Sequence, residues 1–233
     1  MKFLDLKVRS GSKIGELVFC VRRMINAGYT GRSQETVWKH VQELAEKGVP
    51  APREIPTFYP VASYLILVNE KVEVVEKDNS GEAEYVVLIG KEDTYIGVGS
   101  DHTDRQLEGS SILKAKQICP NVMSREVWKY ADVKNHWDEL VLRSWVLMGS
   151  EKVLYQEAKL QELMAPEDLV SIFRKRMKLG NNALLENTVI FSGTVPLRPG
   201  KILSGEGFEV ELYDPVRNES LRCNYWVEIL DYI

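Results

Sequence analysis

Short apolar runs alternating with polar positions dominate this chain. Leu4, Leu6 and Val8 alternate with Asp5 and Lys7, which predicts a first strand turned at Ser10-Gly11-Ser12. Residues 16–25 carry Val18, Cys20, Val21 and Met24 and read as a second strand or a short helix. After the Gly-rich stretch NAGYTGRS, Ser33 is a good N-cap and Gly48 a good terminator, so a helix is expected over residues 34–47. Its buried stripe is Val37, Val41 and Leu44, with His40 inside the stripe and Glu43 three residues on. Four prolines keep residues 49–60 extended or looped, because proline lacks the donor a helix needs. Residues 64–68 read as a strand, and residues 107–117 as a short helix or loop. Residues 155–164 are helix-compatible, and a proline-started helix runs from Pro166 to about Leu179. Val141, Arg143 and Trp145 alternate as in a strand. Further strands are expected at 188–191, 207–212 and 225–230. Strands outnumber helices, and the helices fall near the edges of the strand runs, which is the pattern of a β-rich α+β fold.

The densest pattern lies at residues 81–105. An apolar run at 85–89 is followed by the turn KEDT and a returning run at 95–98, the signature of a hairpin. Glu82 and Glu84, two apart, point to one face of a strand. A paired hairpin returns Asp101 to the same place. Three converging carboxylates make a hard-oxygen site suited to Mg²⁺, Mn²⁺ or Ca²⁺. The same spacing also fits a solvated strand edge. His40 and Glu43 lie on neighbouring helix positions. They are either a pair that can activate a water or a core histidine satisfied by the backbone. Gly193-Thr194, at the end of a strand, offers a close backbone approach and a hydroxyl that suit a substrate carboxylate, or a simple turn.

Composition narrows the class. Of 233 residues, 44% are apolar and 27% charged, as in ordinary globular proteins, and one large domain or two small ones are possible. Thirty basic against thirty-four acidic residues give a net charge of −4, with no basic run, so a nucleic-acid partner is not expected. No apolar stretch is long enough to span a membrane, and the first residues lack a signal-peptide core. Three widely spaced cysteines make neither a disulfide framework nor a zinc signature, which suits a reducing cytoplasm. The tryptophans 128, 137 and 145 read as core or subunit interface.

Taken in order, Gly31-Arg32, His40-Val41-Gln42-Glu43, Glu82-Ala83-Glu84, Asp101-His102-Thr103-Asp104-Arg105, Lys116 and Gly193-Thr194 resemble the fumarylacetoacetate hydrolase superfamily. The run GEAEYVVLIG is similar to its metal-binding strand, and GRSQETVWKHVQEL to its active-site loop and short helix. The likeness extends over residues 31–194.

This resemblance implies a mixed β-roll-like core of that superfamily's C-terminal domain type, with a few peripheral helices. The whole of residues 1–233 would form one such domain, with the strand region 1–30 packing on it, assembled as a homodimer. It implies Mg²⁺ or Mn²⁺ held by Glu82, Glu84 and Asp101, and a small 2-oxo acid substrate. His40 and Glu43 would activate water, and Lys116 would stabilise an enolate. Arg32, Arg105, Gly193 and Thr194 would contact substrate. Hydrolysis of a C–C bond in an acylpyruvate-like acid is the leading reaction, with hydration, isomerisation or decarboxylation at the same site as alternatives. A non-catalytic binding or assembly protein on this fold is the third. Two departures stand out: the span from Glu84 to Asp101 is shorter than in typical members, and a family lysine is replaced near Phe58-Tyr59-Pro60. His102 and Asp104 add polar groups; strand alternation turns His102 away from the acids.

Overall fold

The structure is a computed structural model that describes residues 1–46, 51–68, 71–177 and 185–232; the side chains of His40, Glu43, Leu44 and Glu46 also lie outside the described set. From the N-terminus the elements are β1 (Lys2–Ser10), β2 (Lys13–Val21), β3 (Arg23–Gly28), α1 (Gln34–Glu46), β4 (Thr57–Val61), β5 (Ile66–Val68), β6 (Val72–Val74), β7 (Asn79–Ser80), β8 (Ala83–Ile89), β9 (Thr94–Asp101) and β10 (Thr103–Asp104). They continue with α2 (Arg105–Glu108), α3 (Ile112–Ile118), β11 (Asn121–Met123), β12 (Glu126–Lys129), α4 (Tyr130–Val133), β13 (Val141–Met148), β14 (Glu151–Lys159), α5 (Pro166–Arg176), β15 (Thr188–Phe191), β16 (Gly207–Asp214) and β17 (Glu219–Ile229).

Two large sheets carry the fold. The ten-stranded one runs β2-β1-β12-β9-β8-β15-β3-β4, with β11 and β5 attached through β9. The five-stranded one runs β14-β13-β16-β17-β6, and β7 pairs with β10 in a small ribbon. The result is a β-rich α+β architecture with parallel and antiparallel pairs mixed in one sheet.

Strand β8 explains the arrangement. Ala83, Tyr85 and Val87 point into the core between the two sheets, where Leu142, Val210, Leu212 and Tyr225 meet them. Val86 and Leu88 point the other way, into a second core where the large sheet curls over itself and brings Leu4, Phe19, Met24 and Phe191 together. Both faces are covered, so this run is continuously apolar instead of alternating. Each fully buried Val or Leu along it contributes about 1.5–3 kcal/mol.

Several elements differ from expectation. Residues 16–25 form parts of two strands, β2 and β3, because the chain leaves the β1–β2 hairpin after Val21 and β3 pairs in parallel with β15. The proline-rich segment contributes edge strand β4, where Pro60 is tolerated at the sheet margin. The stretch at 64–68 begins as a 3₁₀ turn, Ser63–Leu65, before β5. The first half of the helix-compatible segment at 155–164 is strand β14, followed by a 3₁₀ turn, Leu160–Glu162. Cross-strand pairing of β14 with β13 and the burial of Tyr155 and Gln156 override a helix propensity worth only tenths of a kcal/mol per residue. The helix expected to run to about Leu179 ends at Arg176, with Met177 already extended, while Gly48, Leu179 and Gly180 themselves lie outside the described residues. Among the described residues no helix is long and apolar enough to cross a membrane.

Candidate metal centre

The centre is built by the β8–β9 hairpin. Pairing runs from Ile89↔Thr94 to Ala83↔Ser100, so the two strands end together. Glu82 and Asp101 extend the ladder by exchanging backbone hydrogen bonds of 3.1 and 3.0 Å. Glu82, Glu84 and Asp101 therefore lie on one face, with one oxygen from each within 4.8 Å of the others. Glu84 and Asp101 are fully buried, whereas the Glu82 side chain is 19% exposed. Glu84 sits opposite Gly99, where a Cβ would come within 2.5 Å of the Val122 carbonyl, so glycine is needed for β11 to approach.

Cations come from the two helices that follow. Asp104 caps α2 by accepting from the Leu107 amide at 2.8 Å, which orients Arg105 inward. Arg105 Nη1 bonds Glu82 at 3.0 Å and Glu108 at 2.7 Å, while its Nε donates to Ser80. Ser111 caps α3, whose inward side carries Lys116. Lys116 Nζ donates to Asp101 Oδ2 and lies 3.8 Å from Glu82. The Gln117 amide bridges α3 to β4, and the Tyr59 ring lies 6.0 Å from Lys116 Nζ. On the same floor Asn26 and Asn121 exchange amide hydrogen bonds of 3.2 and 3.1 Å.

The electrostatics are those of crowded carboxylates. Burial, then the neighbouring Asp101, pushes Glu84 well above the usual carboxylate range. Burial likewise raises Asp101, although Lys116 opposes it. Burial also acts on Glu82, but Arg105 and Lys116 outweigh it and hold that group low. Lys116 is desolvated, yet Asp101 and Glu82 keep its pKa raised. Four carboxylates (Glu82, Glu84, Asp101, Glu108) face two cations (Arg105, Lys116), so only with all four ionised would two negative charges be left over, the charge a divalent ion would balance. Asp101 Oδ1 is buried with no hydrogen-bond partner, an acceptor of the kind such an ion takes up. The three acids fit a hard divalent metal and can hold one.

A family profile described as "Protein of unknown function (DUF2848)" matches residues 27–225. The chain belongs to this family. No curated protein matches the DUF2848 chain significantly. Solved structures do. Crystal structures of Cg1458 share 14% identity at a TM-score of 0.64, covering 93% of this chain and 80% of that one. Cg1458 with inhibitor shares 16% at 0.64, covering 94% and 83%. A 2-keto-3-deoxy-D-arabinonate dehydratase, complexed with magnesium and 2,5-dioxopentanoate, shares 14% at 0.62, covering 94% and 78%. At these identities the likeness is one of fold.

The structure gathers Glu82, Glu84, Asp101, Arg105, Lys116 and the Gly193–Thr194 peptide. Gly193, at φ +84°, donates its N–H to Glu84 at 3.0 Å. Thr194 Oγ1 donates to the Ala83 carbonyl at 2.8 Å and accepts from Gln156 at 2.6 Å. Arg32 is engaged elsewhere: it grips both oxygens of Asp138 at 2.7 and 2.6 Å and the Leu163 carbonyl. His40 and Glu43 lie on α1, but their side chains fall outside the described residues. His102 faces away from the acids, as alternation requires, and burial depresses its pKa to about 3. Sequence reading missed Glu108, Ser80, Asn26, Asn121 and Gln156. Only Glu108 left a signal, three residues after Arg105 on one helical face.

Proposed function

We propose that this protein is a metal-dependent enzyme of the fumarylacetoacetate hydrolase superfamily that acts on a small 2-oxo acid. One observation carries this reading: three carboxylates converge at the end of one hairpin, two of them buried, with one acceptor oxygen unpartnered. Bound there, Mg²⁺ or Mn²⁺ would polarise the 2-oxo group and neutralise charge developing on its oxygen. The fold likeness to a 2-keto-3-deoxy-D-arabinonate dehydratase complexed with magnesium and 2,5-dioxopentanoate supports both the metal and the substrate class.

Lys116 is kept charged beside the acids and is suited to stabilise negative charge on the substrate. Arg105, Gly193 and Thr194 border the acids and would meet the substrate carboxylate in exchange for their present partners. Arg32 would have to leave Asp138 to take part. Hydrolysis of a C–C bond is the leading reaction, with His40 and Glu43 on α1 as the water-activating pair. Dehydration is the second reading, favoured by the dehydratase among the fold neighbours. Elimination of water needs a base at the carbon next to the oxo group and no water nucleophile. A homodimer of single-domain subunits in the cytoplasm completes the reading.

The test is turnover of an acylpyruvate panel and a 2-keto-3-deoxy sugar acid panel with Mg²⁺ or Mn²⁺. Glu84→Ala should lower kcat/KM by about 100-fold or more, as expected for loss of a group that stabilises transition-state charge. Equal turnover by wild type and variant would remove the metal assignment. Loss of acylpyruvate hydrolysis in His40→Ala supports hydrolysis. Turnover confined to sugar acids and indifferent to His40 supports dehydration.

A further inference from the structure

A second buried polar array lies on the face of the hairpin opposite the acids. The Glu82 N–H is shared between the Asp101 carbonyl at 3.1 Å and Ser100 Oγ at 3.1 Å, and Ser100 Oγ lies 2.8 Å from Tyr225 Oη. Tyr225 Oη is 3.0 Å from His102 Nδ1, and His102 Nε2 is 2.8 Å from Asn79 Oδ1. Asn79 Nδ2 donates to the Glu76 carbonyl at 2.7 Å.

The two ends of this array fix every proton in it. A backbone carbonyl only accepts, so the Asn79 NH₂ faces Glu76 and its oxygen faces His102. That oxygen also only accepts, so His102 carries its hydrogen on Nε2. The ring is buried and packed edge-on against Phe208 and Tyr225, with no carboxylate bonded to either ring nitrogen, the surroundings of a neutral imidazole. The neutral ring's Nδ1 therefore accepts from the Tyr225 hydroxyl. With that proton committed, Ser100 donates to Tyr225 and receives the Glu82 N–H on a lone pair. The array also spans both sheets, since Ser100 belongs to β9 and Tyr225 to β17. Gly81 leaves it room: a Cβ there would fall 2.4 Å from Tyr225 Oη and 2.5 Å from Ser100 Oγ.

We propose that Asn79, His102, Tyr225 and Ser100 are positioning residues for the metal ligand Glu82, adding to its ladder bonds with Asp101 one directed hydrogen-bond chain anchored across the two sheets. The inference rests on the metal-centre reading above. It gives a polar purpose to His102, which the acids do not use.

Tyr225→Phe tests it, because the ring can still stack on Phe208 while the hydroxyl is lost. Mn²⁺ affinity at neutral pH, followed by titration calorimetry and electron paramagnetic resonance, should weaken about 10- to 100-fold, the usual effect of losing a group that orients a ligand. Imidazole ¹⁵N resonances should show His102 as the Nε2–H tautomer in wild type and a changed tautomer balance in Tyr225→Phe. Ser100→Ala should weaken Mn²⁺ comparably with the tautomer retained, and it carries the test if Tyr225→Phe does not fold. Wild-type Mn²⁺ affinity in both variants, with only thermal stability reduced, would make the array merely structural and overturn the proposal. An Nδ1–H or doubly protonated ring in wild type would overturn the chain's direction. A wild type that binds no Mn²⁺ while showing the assigned tautomer would sink the metal-centre reading and this inference with it.

Discussion

Glu84 illustrates how one residue can set the protein's response to pH. Its carboxyl is pushed well above the usual range by burial and by Asp101. The folded metal-free protein therefore binds this proton more tightly than the unfolded chain does. Its stabilising contribution is full below the ordinary value of 4.5 and is lost as pH rises through the raised value. Glu84→Gln keeps an acceptor for the Gly193 N–H, so it should raise the melting temperature of metal-free protein at neutral pH. The gain should shrink toward pH 4, as thermal melts across pH would show. His102 has the opposite sign. Its folded pKa of about 3 lies below the ordinary 6.5, so it contributes stability above 6.5 that is lost as pH falls toward 3. In His102→Gln the fall in urea midpoint between those values should be shallower. Burial of the Cys119 thiol, pushed up to about 12, makes it inert to alkylation in the native state.

At the scale of elements, the acids depend on how β14 and the chain after β15 are held against the β8–β9 hairpin. Gln156 on β14 accepts from the Ala83 N–H at 2.9 Å and from Ser144, and donates to Thr194 and the Val195 carbonyl. One side chain thus joins the base of the metal strand to the other sheet and to the Gly-Thr turn. Gln156→Ala leaves several buried groups unpaired. It should cost about 3 kcal/mol, since each orphaned buried group costs roughly 1–3 kcal/mol. Chemical denaturation measures the loss, and a change below about 0.5 kcal/mol, the usual range of exposed substitutions, would show that Gln156 is not a structural tie. The same residue shows why β14 is not legible in its own segment. YQEAKLQELM has helix-forming composition, and nothing within the segment announces that Tyr155 and Gln156 are buried against another sheet.

For the whole molecule, metal and folding are linked. A divalent ion that binds only the folded state adds about 2.7 kcal/mol when present at one hundred times its dissociation constant. For a chain of 233 residues that corresponds to a rise of roughly 5–10 °C in melting temperature, at about 2–4 °C per kcal/mol. Differential scanning fluorimetry with Mn²⁺, Mg²⁺ and chelator should show this rise in wild type and its absence in Glu84→Ala. Because the ligands must be deprotonated, the rise should fade as pH drops toward the carboxylate range. A wild type unmoved by either metal would favour a binding or assembly role on this fold.

The sequence by itself determined the β8–β9 hairpin, the convergence of Glu82, Glu84 and Asp101, and the turning away of His102. These follow from the two-residue period of a strand and a short turn, which are local properties. Only the tertiary structure decided that Lys116 pairs with Asp101, that Gln156 lies in a strand, and that His102 meets Tyr225, 123 residues away. Those partners are set by how two sheets stack and where the helices land, and residue spacing carries no record of contacts made at that distance.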